Sequence, residues 1–293
     1  MTVSKSIELH FEVNGMTFAA QEWGDPDGVP VLALHGWLDN STSFYRLAPL
    51  LKNVRLVAID MAGHGETDRR PGFTPYGIWE DVSEVMGIAD QLGWERFSLM
   101  GHSRGGVVSS IVAGTFPERI DSVVLLDGFA PEPIPAESAP EQLQKSILEH
   151  RAKGTPPMFD SLEKMVKARL AGFWPLSRAS VEALLERGVR REAGGYCWTS
   201  DPRLMLASPM KLTQDQVAAF IKRNDAPTQL LLAENGLSKA FGRVKPLLQG
   251  MSNYQIETLP GEHHFHMEDG CEAIAERVNA FYEATFFQKS VIS

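Results

Sequence analysis

The chain has 293 residues, 43% of them apolar and 22% charged, with a formal net charge of -9. This composition excludes disordered and fibrous chains. The negative balance argues against nucleic-acid partners and anionic membrane surfaces, both of which reward a basic face.

The length suits one large domain carrying an insertion. Residues 1–14 include acidic groups and no apolar core segment, so no secretory signal is expected. No run of about 18 apolar residues occurs, so no membrane span is expected either. Cys197 and Cys271 lie far apart and match no metal spacing. Free thiols in a reducing, cytoplasmic setting are the expectation. A monomer and a homodimer fit the sequence equally well.

Ile7 to Val13 and Met16 to Trp23 alternate apolar and polar residues around Asn14-Gly15, which predicts a hairpin. Val29 to Leu34 and Val54 to Ile59 are short apolar runs, suited to parallel strands buried on both faces. A helix is predicted over Trp79 to Leu92, a strand over Arg96 to Met100, and a helix over Val107 to Phe116 that Pro117 closes. Ser122 to Leu126 reads as another buried strand.

From Pro140 to about Asp225 the pattern is helical, with almost no strand signal. Leu143 to His150, Leu162 to Leu170, Val181 to Arg187 and Val217 to Lys222 are the candidate helices. Gln229 to Ala233 and Gln255 to Leu259 resume the strand pattern, and Cys271 to Phe286 reads as a closing helix. Alternating strands and helices imply a mostly parallel sheet flanked by helices. The helical block, residues 131–225, is expected to form a cap over the carboxyl edge of a core made of residues 1–130 and 226–293, where open sheets bind ligands.

Three segments carry chemistry. Gly101-His102-Ser103-Arg104-Gly105 joins a predicted strand to a predicted helix, the context of a nucleophile elbow. The sharp turn lifts Ser103 to a helix N-terminus, where backbone N–H groups favour a developing oxyanion. His35-Gly36-Trp37 follows a strand about 65 residues earlier, as the oxyanion loop of such a site does. The backbone N–H groups of Trp37 and Arg104 are the expected oxyanion donors. Pro260 to Glu268 follows the last strand and holds His263, His264 and His266, among which the late general base must lie. The three histidines are crowded on one loop with no matching carboxylate apparent, so neither a metal nor a cofactor is expected.

The order His-Gly-Trp (from His35), Asp-x-x-Gly-His-Gly (from Asp60), Gly-His-Ser-x-Gly-Gly (from Gly101) and Gly-x-His-x-x-His (from Gly261) resembles the α/β-hydrolase superfamily over nearly the whole chain. Leu34 to Asn40, Gly105 to Val108, Thr115 to Glu118 and Asp201 to Leu204 are similar to its serine hydrolase-like proteins. The resemblance implies the α/β-hydrolase fold and places the catalytic base at His263, with one of its two neighbours packing and the other hydrogen-bonding locally. It also implies a structural turn over Asp60 to Asp68.

The superfamily usually carries the orienting acid after the strand that ends here at Ala233, yet Gly236 stands where aspartate is expected. Asp127, at the end of the preceding core strand, is the favoured substitute, as in certain haloalkane dehalogenases, and Glu234 is the alternative.

The expected activity is hydrolysis of an ester or similar acyl substrate, a small molecule with an apolar part, through an acyl-enzyme. His35, Phe129 and Trp198 are candidate pocket residues, although His35 reads as structural rather than catalytic. The same triad also serves cofactor-free haloperoxidases, perhydrolases and carbon–carbon bond hydrolases. A catalytically weak binding protein is the alternative from another class, and Gly236 is the feature that favours it.

Overall fold

The computed structural model describes residues 6–72, 75–151 and 157–287. Ten strands and eight α-helices are found among them. The predicted hairpin is present as β1 (Ile7–Val13) and β2 (Met16–Gly24), paired antiparallel. There follow β3 (Val29–Leu34), β4 (Val54–Ile59), α1 (Ile78–Gln91), β5 (Phe97–His102), α2 (Arg104–Thr115) and β6 (Ile120–Leu126). After a long insertion come β9 (Thr228–Asn235), α7 (Ser238–Val244), β10 (Tyr254–Glu262) and α8 (Cys271–Tyr282).

The eight core strands lie in the order β1-β2-β4-β3-β5-β6-β9-β10, antiparallel through β1, β2 and β4 and parallel beyond. This is the mostly parallel sheet that the sequence pattern predicts, in the α/β-hydrolase fold that the resemblance implies. The apolar runs are continuous because both faces are covered. Successive residues point to opposite faces. Leu99, Val123, Leu125, Leu230 and Leu232 face one apolar layer, and Met100, Val124, Leu126, Leu231 and Ala233 face the other.

The parallel register aligns the strand ends that matter. Leu34 pairs with Gly101, His102 with Leu126, and Leu126 with Leu231. The residues that follow these ends therefore emerge side by side along the carboxyl edge.

The insertion between β6 and β9 contains α3 (Ala139–Arg151), α4 (Leu162–Leu170), α5 (Arg178–Gly188) and α6 (Gln214–Arg223), one helix for each predicted stretch. It also contains an antiparallel hairpin that the sequence reading missed, β7 (Val189–Glu192) with β8 (Gly195–Trp198). Val189-Arg190-Arg191-Glu192 carries no clear strand signal and lies outside the candidate helices. A turn with Gly194 at φ 100° makes the reversal, and Phe159 extends the pairing by exchanging two backbone hydrogen bonds of 2.8 Å with Tyr196. Helix α7 was also not anticipated, and the closing helix passes into a π-type turn at Glu283–Phe287.

Among the described residues no helix is long and apolar enough to cross a membrane. Cys197 and Cys271 are both buried and free.

Candidate active site

Ser103 sits between β5 and α2 with φ 51° and ψ -115°, a region that L-residues rarely adopt. The turn closes because the residues around it are small. A methyl group on Gly105 would lie 2.0 Å from the carbonyl oxygen of Leu34 and 2.8 Å from that of His35, so only glycine lets α2 start against the end of β3. Arg104 opens α2, and its backbone N–H therefore has no partner within the helix.

Ser103 Oγ lies 2.8 Å from Nε2 of His263, and Nδ1 of His263 lies 2.6 Å from Oδ2 of Asp127. An ionised carboxylate only accepts, so Nδ1 carries the hydrogen and Nε2 is the acceptor that faces the serine hydroxyl. Asp127 is fully buried, with φ 42°. Its Oδ1 accepts from the backbone N–H of Ala233 at 3.0 Å, and its Oδ2 also accepts from that of Leu237 at 2.9 Å. Glu234 is exposed at the end of β9, and the imidazole nitrogen it would have to meet is occupied by Asp127.

Gly236 now has a physical reason. A methyl group there would lie 2.0 Å from Oδ2 of Asp127 and 2.9 Å from Cβ of Ala233. The space that a side chain at position 236 would need is filled by the carboxylate of Asp127. Gly236→Ala is accordingly expected to push Asp127 off His263 and to lower turnover by about 10- to 100-fold. Steady-state kinetics on a p-nitrophenyl ester checks this, and unchanged turnover would show that the carboxylate has slack.

The third motif turns out to be part of a buried histidine cluster. The His102 ring lies 4.7 Å from that of His263, 4.9 Å from His264 and 4.2 Å from His266. His102 Nε2 donates to the carbonyl oxygen of His263 at 3.0 Å, which fixes the backbone of the general-base candidate. His264 and His266 both hydrogen-bond, and neither does so locally. His264 Nε2 lies 3.1 Å from Oδ2 of Asp39, and His266 Nε2 lies 2.9 Å from Oγ of Ser43.

Asp39, His102 and His264 bring three ligand-type atoms within 4.8 Å of one another, so a carboxylate does match the histidines. That carboxylate already meets Arg169 at 2.7 Å on one oxygen and His264 on the other. Burial pulls the Asp39 carboxyl up, but His264, Arg169 and His102 outweigh it and hold it well below the usual range. Burial drives His102 well below the ordinary histidine value, with the neighbouring histidines pushing the same way.

The candidate pocket residues divide. His35 is fully buried, with Nδ1 on the carbonyl of Gly36 at 2.7 Å and Nε2 accepting from the N–H of Met61 at 3.0 Å. It holds the loop that follows β3 against the Asp60 loop and offers no surface to a substrate. Phe129 is also buried, packed edge-on against Phe241 and Tyr254 in the core rather than on an opening. Trp198 lines a small cavity between the loop that follows β3 and the insertion, together with Leu38, Asp39 and Arg169.

One ring does reach the site: Trp174, from the insertion, lies against the His263 imidazole with centroids 4.4 Å apart and planes tilted by 32°. Trp37 is 45% exposed. Nothing in the sequence singles Trp174 out from the other aromatic residues of the insertion.

A family model for the alpha/beta hydrolase fold matches residues 29–174. A serine hydrolase-like protein of Danio rerio is 34% identical over 278 residues, which cover 90% of this chain and 84% of that one. The chain belongs to the α/β-hydrolase family, among its serine hydrolase-like proteins. Serine hydrolase-like protein 2 of Homo sapiens is 33% identical over 299 residues, 95% of this chain and 94% of its own. The crystal structure of a hypothetical protein from Pseudomonas aeruginosa PAO1 superposes with a TM-score of 0.88 at 42% identity, covering 95% of this chain and 99% of that chain. Membership in this α/β-hydrolase family makes the chain a hydrolase.

Proposed function

We propose that this protein is a serine hydrolase that cleaves an ester or similar acyl substrate with an apolar part, through a Ser103–His263–Asp127 triad and an acyl-enzyme. The observation that carries the reading is the hydrogen-bonded line from Ser103 Oγ through both nitrogens of His263 to Asp127. Buried, and with its tautomer set by a carboxylate, the imidazole is arranged to take the serine proton as Oγ attacks the acyl carbon. The backbone N–H groups of Trp37 and Arg104 receive the oxyanion. The tetrahedral adduct collapses as His263 gives its proton to the leaving alcohol. Water then enters, loses a proton to His263, and releases the acid and free Ser103.

In this reading residues 131–225 are a cap domain on a core of residues 1–130 and 226–293. Trp174 of the cap covers His263, and its ring with that of Trp37 offers the apolar contact. The buried free thiols fit a reducing, cytoplasmic setting.

Fluorophosphonate labelling tests the nucleophile. The wild-type chain is expected to take one label and Ser103→Ala none, with loss of p-nitrophenyl ester turnover. Label retained by Ser103→Ala removes Ser103 from this role.

A further inference from the structure

Three residues of the loop that carries the Trp37 N–H are fastened to the cap, each to a different element. Arg169 of α4 donates to Oδ1 of Asp39 at 2.7 Å. Asn40 Nδ2 donates to the carbonyl oxygen of Leu184 in α5 at 2.8 Å. Trp37 Nε1 donates to the carbonyl oxygen of Leu204, in the turn Pro202–Met205, at 2.9 Å.

Between these anchors the loop is strained. Leu38 has φ 63°, a left-handed conformation that a leucine rarely holds, inside a turn closed by Asp39 N–H on Gly36 C=O at 3.2 Å. Such a residue persists only where its surroundings over-determine it. Here the surroundings on the open side are the cap. The Asp39 link is the strongest of the three, because its carboxylate is fully buried while Arg169 brings the charge from the cap.

We infer that Arg169 is a positioning residue: through Asp39 it holds the oxyanion loop in its strained form, so the cap sets the oxyanion hole as well as access to it. The inference rests on the reading of Trp37 as an oxyanion donor. The cap also touches the base. Ser180 of α5 donates to the carbonyl oxygen of Met267 at 2.9 Å, and the Ser177 N–H donates to Glu268 Oε1 at 2.9 Å, both on the loop of His263. A substrate that shifts the cap therefore alters the chemical step. Specificity is then expressed in kcat as well as in KM.

The test compares wild type, Arg169→Met, Arg169→Lys and the paired variant Asp39→Asn with Arg169→Met. The paired variant leaves no buried charge without its partner, so it stays interpretable where the single change fails to fold. Each is measured for kcat and KM on a p-nitrophenyl ester, for affinity toward an alkyl boronic acid that forms a tetrahedral adduct on serine, and for its urea midpoint. The expected result is a kcat lowered by about 10- to 100-fold in the paired variant, a boronate affinity lowered by a similar factor, and a KM within about 3-fold of wild type. Arg169→Lys keeps the charge and is expected to recover part of both losses.

A paired variant with wild-type kcat and boronate affinity, or a loss confined to KM or to the urea midpoint, overturns the inference and leaves Arg169 a fastener of the cap. A wild-type chain that takes no fluorophosphonate overturns the proposed function itself, which separates the two failures.

Discussion

Asp127→Asn is expected to lower turnover of a p-nitrophenyl ester by about 10³–10⁴ while leaving KM and the Ser103 position nearly unchanged. The carboxylate accepts three hydrogen bonds with two oxygens: His263 Nδ1–H and the Leu237 N–H on one, and the Ala233 N–H on the other. An amide cannot reproduce this set. With its NH₂ toward His263, the imidazole must accept at Nδ1 and carry its hydrogen on Nε2, where it can no longer take the serine proton. With its NH₂ toward Ala233, two donors face each other and the negative charge that steadies the imidazolium is gone. Glu234→Gln is the control. Glu234 is exposed, and its exchange is expected to leave turnover within about 2-fold. Loss in the Glu234 variant with normal turnover at Asp127→Asn would reverse the assignment.

The position of that acid marks how far the sequence could be read. The frame was legible because each part of it is local. The elbow glycines, the Asn-Gly hairpin and the continuous apolar strands each state their own geometry. The order of strands then brings His35, Ser103 and Asp127 to one edge, since each directly follows the end of a parallel strand.

What stayed hidden depends on contacts between distant residues. Nothing near Gly236 says that its missing side chain makes room for a carboxylate 109 positions earlier; the 2.0 Å approach to Asp127 says so. Nothing near Asp39 says that it pairs with Arg169 and His264. The β7–β8 hairpin falls between the candidate helices, in a stretch with almost no strand signal, because its strands are too short to show a period, and it is held by Phe159 from outside. Trp174 was one aromatic among several until the insertion was folded over His263.

The second large effect is on stability in acid. Burial holds His35 below the ordinary histidine value of 6.5, His64 and His102 well below it, and His266 down at about 3. In the unfolded chain these groups take a proton near pH 6.5. In the folded chain they take it only at lower pH, so below 6.5 the unfolded state binds more protons and stability decreases as the pH is lowered. The contribution is fully present above 6.5 and is lost progressively toward the folded values. Each group can remove at most about 1.4 kcal/mol per pH unit.

Asp39, held low, keeps its contribution down to about pH 4, so a loss between pH 6.5 and 5 belongs to the histidines. Glu84, raised first by burial, acts in the opposite direction. The geometry gives the same sign. A proton on Nε2 of His35 would displace the Met61 N–H that this nitrogen accepts, and a charge on His102 would sit among three other imidazoles.

The urea midpoint is therefore expected to drop steeply from pH 7 to pH 5. The drop should be shallower in His266→Asn, whose amide can still meet Ser43 but does not titrate in this range. A midpoint that stays flat over this range would mean that water reaches these histidines in the folded chain. The cluster that surrounds His263 would then not be the dry, rigid support that its backbone contact to His102 requires.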